Sequence, residues 1–189
     1  LVSVLDEGSA LLRLDVKGLI HTYIAAVGVA EKGYADMKLT VHDKGGHTSA
    51  APKHSGMAKL ANTIKDVERH QFKSHMLPFL TELFDTVGKK ANYLGRVIMC
   101  NIWLLKPIIK LVLKTIPVSA SMVRTIQSIS MCECSLEPNV LPQRPNITIN
   151  FRPLPGDTID DVEKHIRKAV RYKDLEVERL YSKEATKFS

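Results

Sequence analysis

The chain has 189 residues, 44% of them hydrophobic and 25% charged, enough to bury a substantial core in one large or two small domains. Its net charge of +7 admits nucleic acid or anionic lipid as a partner, but the cations read as scattered and no nucleic-acid motif accompanies them, so a solvated basic surface is the better reading. Three cysteines, Cys100, Cys132 and Cys134, are too few for a disulfide framework and lack further ligands nearby for zinc; they read as buried structural thiols.

The chain opens on the apolar run LVSVL, which reads as a strand, followed by the acidic turn of LDEG and a second buried-type strand over residues 24–30. No helix follows either strand, so both read as connectors belonging to another sheet. The start at Leu1, in mid-pattern and without methionine, is expected of an excised piece of a longer protein. From Tyr34 the pattern becomes regular. Ala35, Met37, Leu39 and Val41 alternate with polar residues, the mark of a half-buried strand that Gly45 and Gly46 end. Ser55 is placed to cap a helix over 55–69 with an apolar stripe of Met57, Leu60, Ala61, Ile64 and Val67.

Residues 71–117 read as a helical insertion. Lys106, Lys110 and Lys114 share one face, and the other faces are apolar, which points to packing on a partner or on the domain itself. Docking on a membrane surface through residues 94–116 is an alternative; a membrane span is not expected. Residues 118–134, with β-branched Val123, Thr125, Ile126 and Ile129, read as one long strand. Ile147, Ile149 and Phe151 mark another. Thr158 and Asp161 form a capping-box pattern ahead of a helix with the stripe Ile159, Val162, Ile166 and Val170, and a last strand covers 175–181. The order from residue 34 is β-α-(insertion)-β-β-α-β. That predicts an α+β, ferredoxin-like sandwich: a four-stranded antiparallel sheet with two helices on one face.

Three short stretches could carry chemistry. In LDEG, Asp6 and Glu7 offer hard oxygen ligands at a strand end, although acidic turns are common. In GGHTSA, His47 follows two glycines that let the backbone approach a ligand closely; a lone histidine is ordinarily solvated or structural. In NVLP and NFRPLPGDT, Asn139 and Arg152 lie thirteen residues apart, and a guanidinium suits a carboxylate through a two-pronged hydrogen bond; a surface arginine paired with an acid is the plain alternative.

Together, LDEG, AEKGY, GGHTSAAP, NVLP and NFRPLPGDT occur in an order that resembles the zinc-dependent aminoacylase and carboxypeptidase family, and most closely its Gly-X carboxypeptidase branch. The resemblance implies a two-domain parent enzyme: a catalytic domain with two zinc ions that activate a water, and a smaller ferredoxin-like lid that also dimerises. On it, residues 1–33 are connectors of the catalytic domain, 34–182 the lid with its insertion at 71–117, and 183–189 the return connector. Glu7 alone matches a metal ligand. The other ligands would lie before Leu1 and after Ser189, so the piece alone is expected to hold no zinc tightly and to hydrolyse nothing. His47 matches the lid histidine that stabilises the oxyanion, in dimeric members within the partner's site. Asn139 and Arg152 match the pair that holds the substrate, an N-acyl amino acid or small peptide, with Arg152 on its carboxylate. A homodimer is expected through the helix at 55–69 and the strand near 121–131, unless the insertion covers that edge. The alternative from a different class is a non-catalytic interaction module of the same shape.

Overall fold

The computed structural model describes residues 10–16, 19–26, 28–105, 107, 109 and 117–187. The chain divides into two compact units. One comprises Glu31–Lys73 with Arg124–Phe188, the other Leu1–Ala30 with Ser74–Val123.

The first unit is the sandwich. Its long strands are β3 (Tyr34–Thr40), β5 (Ile126–Glu133), β7 (Asn146–Arg152) and β8 (Glu176–Lys183), and its helices are α1 (Gly56–Arg69) and α5 (Ile159–Ala169). The strands pair antiparallel in the order β5-β7-β3-β8, so each half contributes one inner and one outer strand. Alternation produces the core directly: Ala35, Met37 and Leu39 on β3 and Ile147, Ile149 and Phe151 on β7 are fully buried and pack with Leu60 and Val67 of α1 and with Val162 and Ile166 of α5. Each of these side chains larger than alanine contributes about 1.5–3 kcal/mol of burial. The α5 stripe falls as its spacing predicts, and its capping box is complete: the Thr158 hydroxyl accepts from the Asp161 N–H while the Asp161 carboxylate accepts from Thr158.

Helix α1 departs from its predicted stripe. Met57 and Ala61 are exposed, and Thr63 and Asp66 are buried in their place. Their polar atoms are satisfied there. The Thr63 hydroxyl donates to the Lys59 carbonyl, and the Asp66 carboxylate accepts from the Arg171 backbone N–H (3.1 Å), Nε (2.8 Å) and Nη2 (2.7 Å). This contact with Arg171 holds the Asp66 carboxyl down at about 2. Ser55 occupies the N-cap position but makes no side-chain cap bond; the Asp43 carboxylate, brought from the loop before the helix, accepts from the Gly56 N–H instead. The cysteine expectation also fails. Cys132 and Cys134 are exposed because β5 is an outer strand whose residues past Ile129 are uncovered, and Cys100 is only partly buried.

The second unit holds the hairpin β1 (Ala10–Val16) and β2 (Ile20–Ala26), with α2 (Pro78–Gly88), α3 (Tyr93–Cys100) and α4 (Pro117–Val123). The two early strands pair with each other, from Ala10 opposite Ala26 to Val16 opposite Ile20, so the second lies earlier than residues 24–30. The LVSVL strand, the LDEG turn and the lysine face at 106, 110 and 114 lie outside the described residues. Ile20 packs with Val87 and Ala91, and Ile24 and Met99 lie against them. A side chain at Gly95 would collide with the Leu19 carbonyl (2.5 Å), so only glycine allows that approach. Residues 118–123, read above as strand, are helix. Pro117 suits a first helical turn, and Ala120 and Met122 favour the helix enough to override the β-branched valines. No helix among the described residues is long and apolar enough to cross a membrane.

Candidate functional site

Both glycines before His47 are in left-handed backbone, Gly45 at φ +67° and Gly46 at φ +131°, a region that other residues rarely adopt. At Gly45 a Cβ would also come within 2.5 Å of the Gln143 side chain. The turn releases the chain from β3 into a two-residue ribbon, in which β4 (Gly46–His47) pairs antiparallel with β6 (Val140–Leu141) and His47 lies opposite Val140. The Thr48 N–H donates to the Asn139 carbonyl (3.0 Å), which fixes Asn139 beside the histidine. The bonds from Val41 N–H to the Pro145 carbonyl and from Asp43 N–H to the Gln143 carbonyl, each 2.9 Å, tie the loop to the entry of β7.

His47 is exposed and caps a short 3₁₀ turn (Thr48–Ala50). Its Nδ1 accepts from the Ser49 N–H (3.2 Å) and lies 2.8 Å from the Ser49 hydroxyl. An Nδ1 used as acceptor leaves the neutral ring's proton on Nε2. The histidine thus presents one N–H donor, oriented by its own turn.

Arg152 lies elsewhere. It ends β7 opposite Ile126, at the Tyr34 end of β3, whereas the ribbon leaves from the Thr40 end. Seven residues of β3 separate the two, about 20 Å at ~3.3 Å per residue. Arg152 Nε donates to Asn150 Oδ1 (3.3 Å), Asn150 Nδ2 donates to Asp36 Oδ1 (2.7 Å), and the Tyr34 hydroxyl donates to Asp36 Oδ2 (2.8 Å). The guanidinium carbon lies 4.5 Å from the centre of the Tyr34 ring, which closes the circuit. The bond to Asp36 raises the Tyr34 phenol above its ordinary value. Burial, and secondarily the charge of Arg152, lower the Lys32 ammonium. Lys32 and Arg152 therefore form one cationic spot on a preorganised arginine. The supporting Tyr34, Asp36 and Asn150 were missed in the sequence, though all lie on the polar register of their strands.

The structure thus joins His47 with Asn139 and sets Arg152 apart. Asp6 and Glu7 lie outside the described residues. No group of three or more histidine, cysteine or carboxylate side chains able to hold a metal occurs among the described residues.

The sequence matches the family described as Peptidase dimerisation domain over residues 29–178. It is 33% identical over 94% of its length to a carboxypeptidase S-like protein of Dictyostelium discoideum, covering 34% of that protein. To an N-fatty-acyl-amino acid synthase/hydrolase of Xenopus tropicalis it is 29% identical over 96% of its length, covering 36% of that protein. The chain therefore spans about a third of these relatives. Human carnosine dipeptidase 1 shares the fold, with a TM-score of 0.51 and 16% identity over 85% of this chain and 38% of that one. The family match covers the sandwich from β3 to the start of β8, with its insertion, and the four-stranded antiparallel sheet agrees with it: the chain belongs to the peptidase dimerisation domain family.

Proposed function

We propose that this chain is the lid and pairing domain of a zinc-dependent amidohydrolase acting on N-acyl amino acids or small peptides. A complete site then takes Arg152 from one copy and His47 with Asn139 from a second. The observation that carries this reading is the separation of about 20 Å along β3, which no small substrate bridges within one chain. Arg152, steadied by Tyr34 and Asn150, binds the substrate carboxylate in two-pronged fashion. The His47 Nε2–H donates to the oxygen that gains charge as the amide carbonyl is attacked, and Asn139, fixed beside it, orients the acyl group.

The described residues do not make a zinc site. On this reading the two ions belong to a catalytic domain outside residues 34–182, with Glu7 adding one ligand and residues 1–33 and 183–189 serving as connectors. The copies pair as a two-fold homodimer. The free edge of β5, at the outside of the sheet among the described residues, supports that mode, with exposed Met57 of α1 on the adjoining layer.

Mixing tests the shared site. In the full-length protein, His47→Ala and Arg152→Ala are each expected to be nearly inactive on an N-acyl amino acid held well below the KM of the Arg152 variant. Refolding the two together should restore about a quarter of the wild-type rate, since half the dimers are mixed and each mixed dimer has one intact site. No recovery in dimers shown to be mixed overturns the two-copy reading. Full activity of the single variants overturns the assignment of the residues.

A further inference from the structure

We propose that Cys132 and Cys134 form a redox-active dithiol that closes reversibly to a disulfide and, in closing, pulls on the His47 end of the sandwich. Cysteine is among the residues most often fully buried, yet both of these are exposed. Their Sγ atoms lie 3.8 Å apart. An irregularity in β5 puts them there. Ile129 stands opposite Ile149, but the next core-facing residue of β7, Ile147, is met by Cys132 and not by Met131, because β5 carries one extra residue between Ile129 and Met131. The bulge thus turns Cys132, and with it Cys134 two residues on, to the helix side of the sheet, at the uncovered end of an outer strand. No third metal-ligating side chain joins the pair among the described residues, so the two thiols fall short of a zinc site.

The backbone allows closure. Alternate residues of a strand stand about 6.6 Å apart at Cα, near the upper end of the ~4.4–6.8 Å that a disulfide spans. Cys134 follows the last strand residue, Glu133, and so can draw in from outside the ladder. The oxidant is a low-molecular-weight disulfide. One cysteine attacks it, forming a mixed disulfide and releasing one small thiol. The other cysteine attacks the mixed disulfide, forming the Cys132–Cys134 bond and releasing the second. The two protons leave on the released thiols, and the two electrons lost by the protein reduce the one S–S bond of the oxidant. Cys134 is also the root of the loop that carries Asn139. In that loop the Glu137 carbonyl accepts from the Ser135 hydroxyl (3.0 Å) and from the Val140 N–H (3.3 Å). Beyond it, the Asn139 carbonyl accepts from the Thr48 N–H and Val140 pairs with His47. Drawing Cys134 in therefore pulls on the ribbon that positions His47. On the function proposed above, on which this consequence rests, closure lowers kcat and leaves KM, set at the Arg152 end, nearly unchanged.

Glutathione buffers test both parts in the full-length protein. Partial desolvation, and next the contact with Cys132, push the Cys134 thiol above its ordinary value, so equilibration is run at about pH 8.5 to supply thiolate. After quenching, alkylation and digestion, the peptide holding both cysteines should be two hydrogens lighter and resist alkylation until reduced. Diluting the buffer about 10-fold at a fixed ratio of reduced to oxidised glutathione should raise the ratio of disulfide to dithiol about 10-fold, because two reduced molecules are released for each oxidised one consumed. In the same samples kcat should fall about 10-fold and return with dithiothreitol. The doubly substituted Cys132→Ser, Cys134→Ser protein should keep its kcat in every buffer. A peptide that stays fully reduced or carries only glutathione, or a bond between two copies on a non-reducing gel, overturns the dithiol. A closed pair with unchanged kcat, or a parallel loss in the double variant, overturns its coupling to His47. A protein without amidohydrolase activity in either state overturns the proposed function instead, and the peptide masses still decide the dithiol.

Discussion

At the start of β3, Arg152 stands on a regular inner strand and is steadied by Asn150, Asp36 and the Tyr34 ring. Past the other end of β3, His47 stands on two residues of ribbon beyond two left-handed glycines. The first arrangement suits holding a substrate charge still, since the side chain is oriented before anything binds. The second suits reaching away from the sheet, because the backbone turns out of it immediately after the core strand. On the proposed reading, one small domain supplies an anchor and an arm, and their separation is why a second copy is needed to complete a site.

The sharpest way to break this comparison is kinetic. In full-length protein, His47→Ala should lower kcat about 10²–10³-fold with little change in KM, as for a donor used in the transition state. Arg152→Ala should mainly raise KM, and only for substrates with a free carboxylate. If both variants change the same constant, anchor and arm are not distinct.

Next in size is the clamp beneath both ends. Asp66→Ala removes three hydrogen bonds to Arg171 and should cost about 2–3 kcal/mol in a denaturant titration, because the acceptor is charged and buried. At 25 °C the folded fraction should keep its kcat; a fall like that of His47→Ala would show that the ends are coupled through the sandwich. The same pair sets a pH window. The Asp66 carboxyl is lowered from 3.8 to about 2 in the fold, so its stabilisation is complete above its unfolded value and is lost as pH falls from about 4 to about 2. Asp66→Asn should flatten the acid-unfolding curve in that interval, and an unchanged curve counts against the clamp.

Smaller effects separate the ends locally. Gly45→Ala meets a φ of +67° and the Gln143 side chain; it should cost about 1–2 kcal/mol and disturb the His47 end alone. Thr158→Ala removes the cap of α5, in the segment that follows Arg152, and should cost about 1 kcal/mol with kcat intact, measured by thermal melting. Equal loss of kcat in both would argue against two independent ends.

Much of the sandwich was legible from period alone. Ile147, Ile149 and Phe151 alternate, and Ile159, Val162, Ile166 and Val170 recur at helical spacing, because one face of each element must leave water. The glycine hinge before His47 was legible for a similarly local reason: successive glycines mark backbone that other residues avoid, and both proved left-handed. Where a partner comes from far along the chain, local pattern failed. Asp66 reads as a surface residue until Arg171 arrives, Ser55 as a cap until Asp43 takes the role, and Cys132 as core until β5 is seen to be the outer strand. Residues 118–123 carry two β-branched side chains and still form a helix, since the valine penalty of a few tenths of a kcal/mol per residue is offset by Ala120 and Met122 after Pro117.

The sequence by itself determined the class of fold, the order of its elements and the residue types capable of chemistry, because these follow from side-chain period and backbone sterics over a few neighbours. Only the tertiary structure decided that His47 and the turn residue Asn139 meet at one ribbon while Arg152 lies a full strand away. Strand order and register are fixed by which apolar faces and hydrogen-bond ladders meet across more than a hundred residues of chain, and no local spacing carries that information.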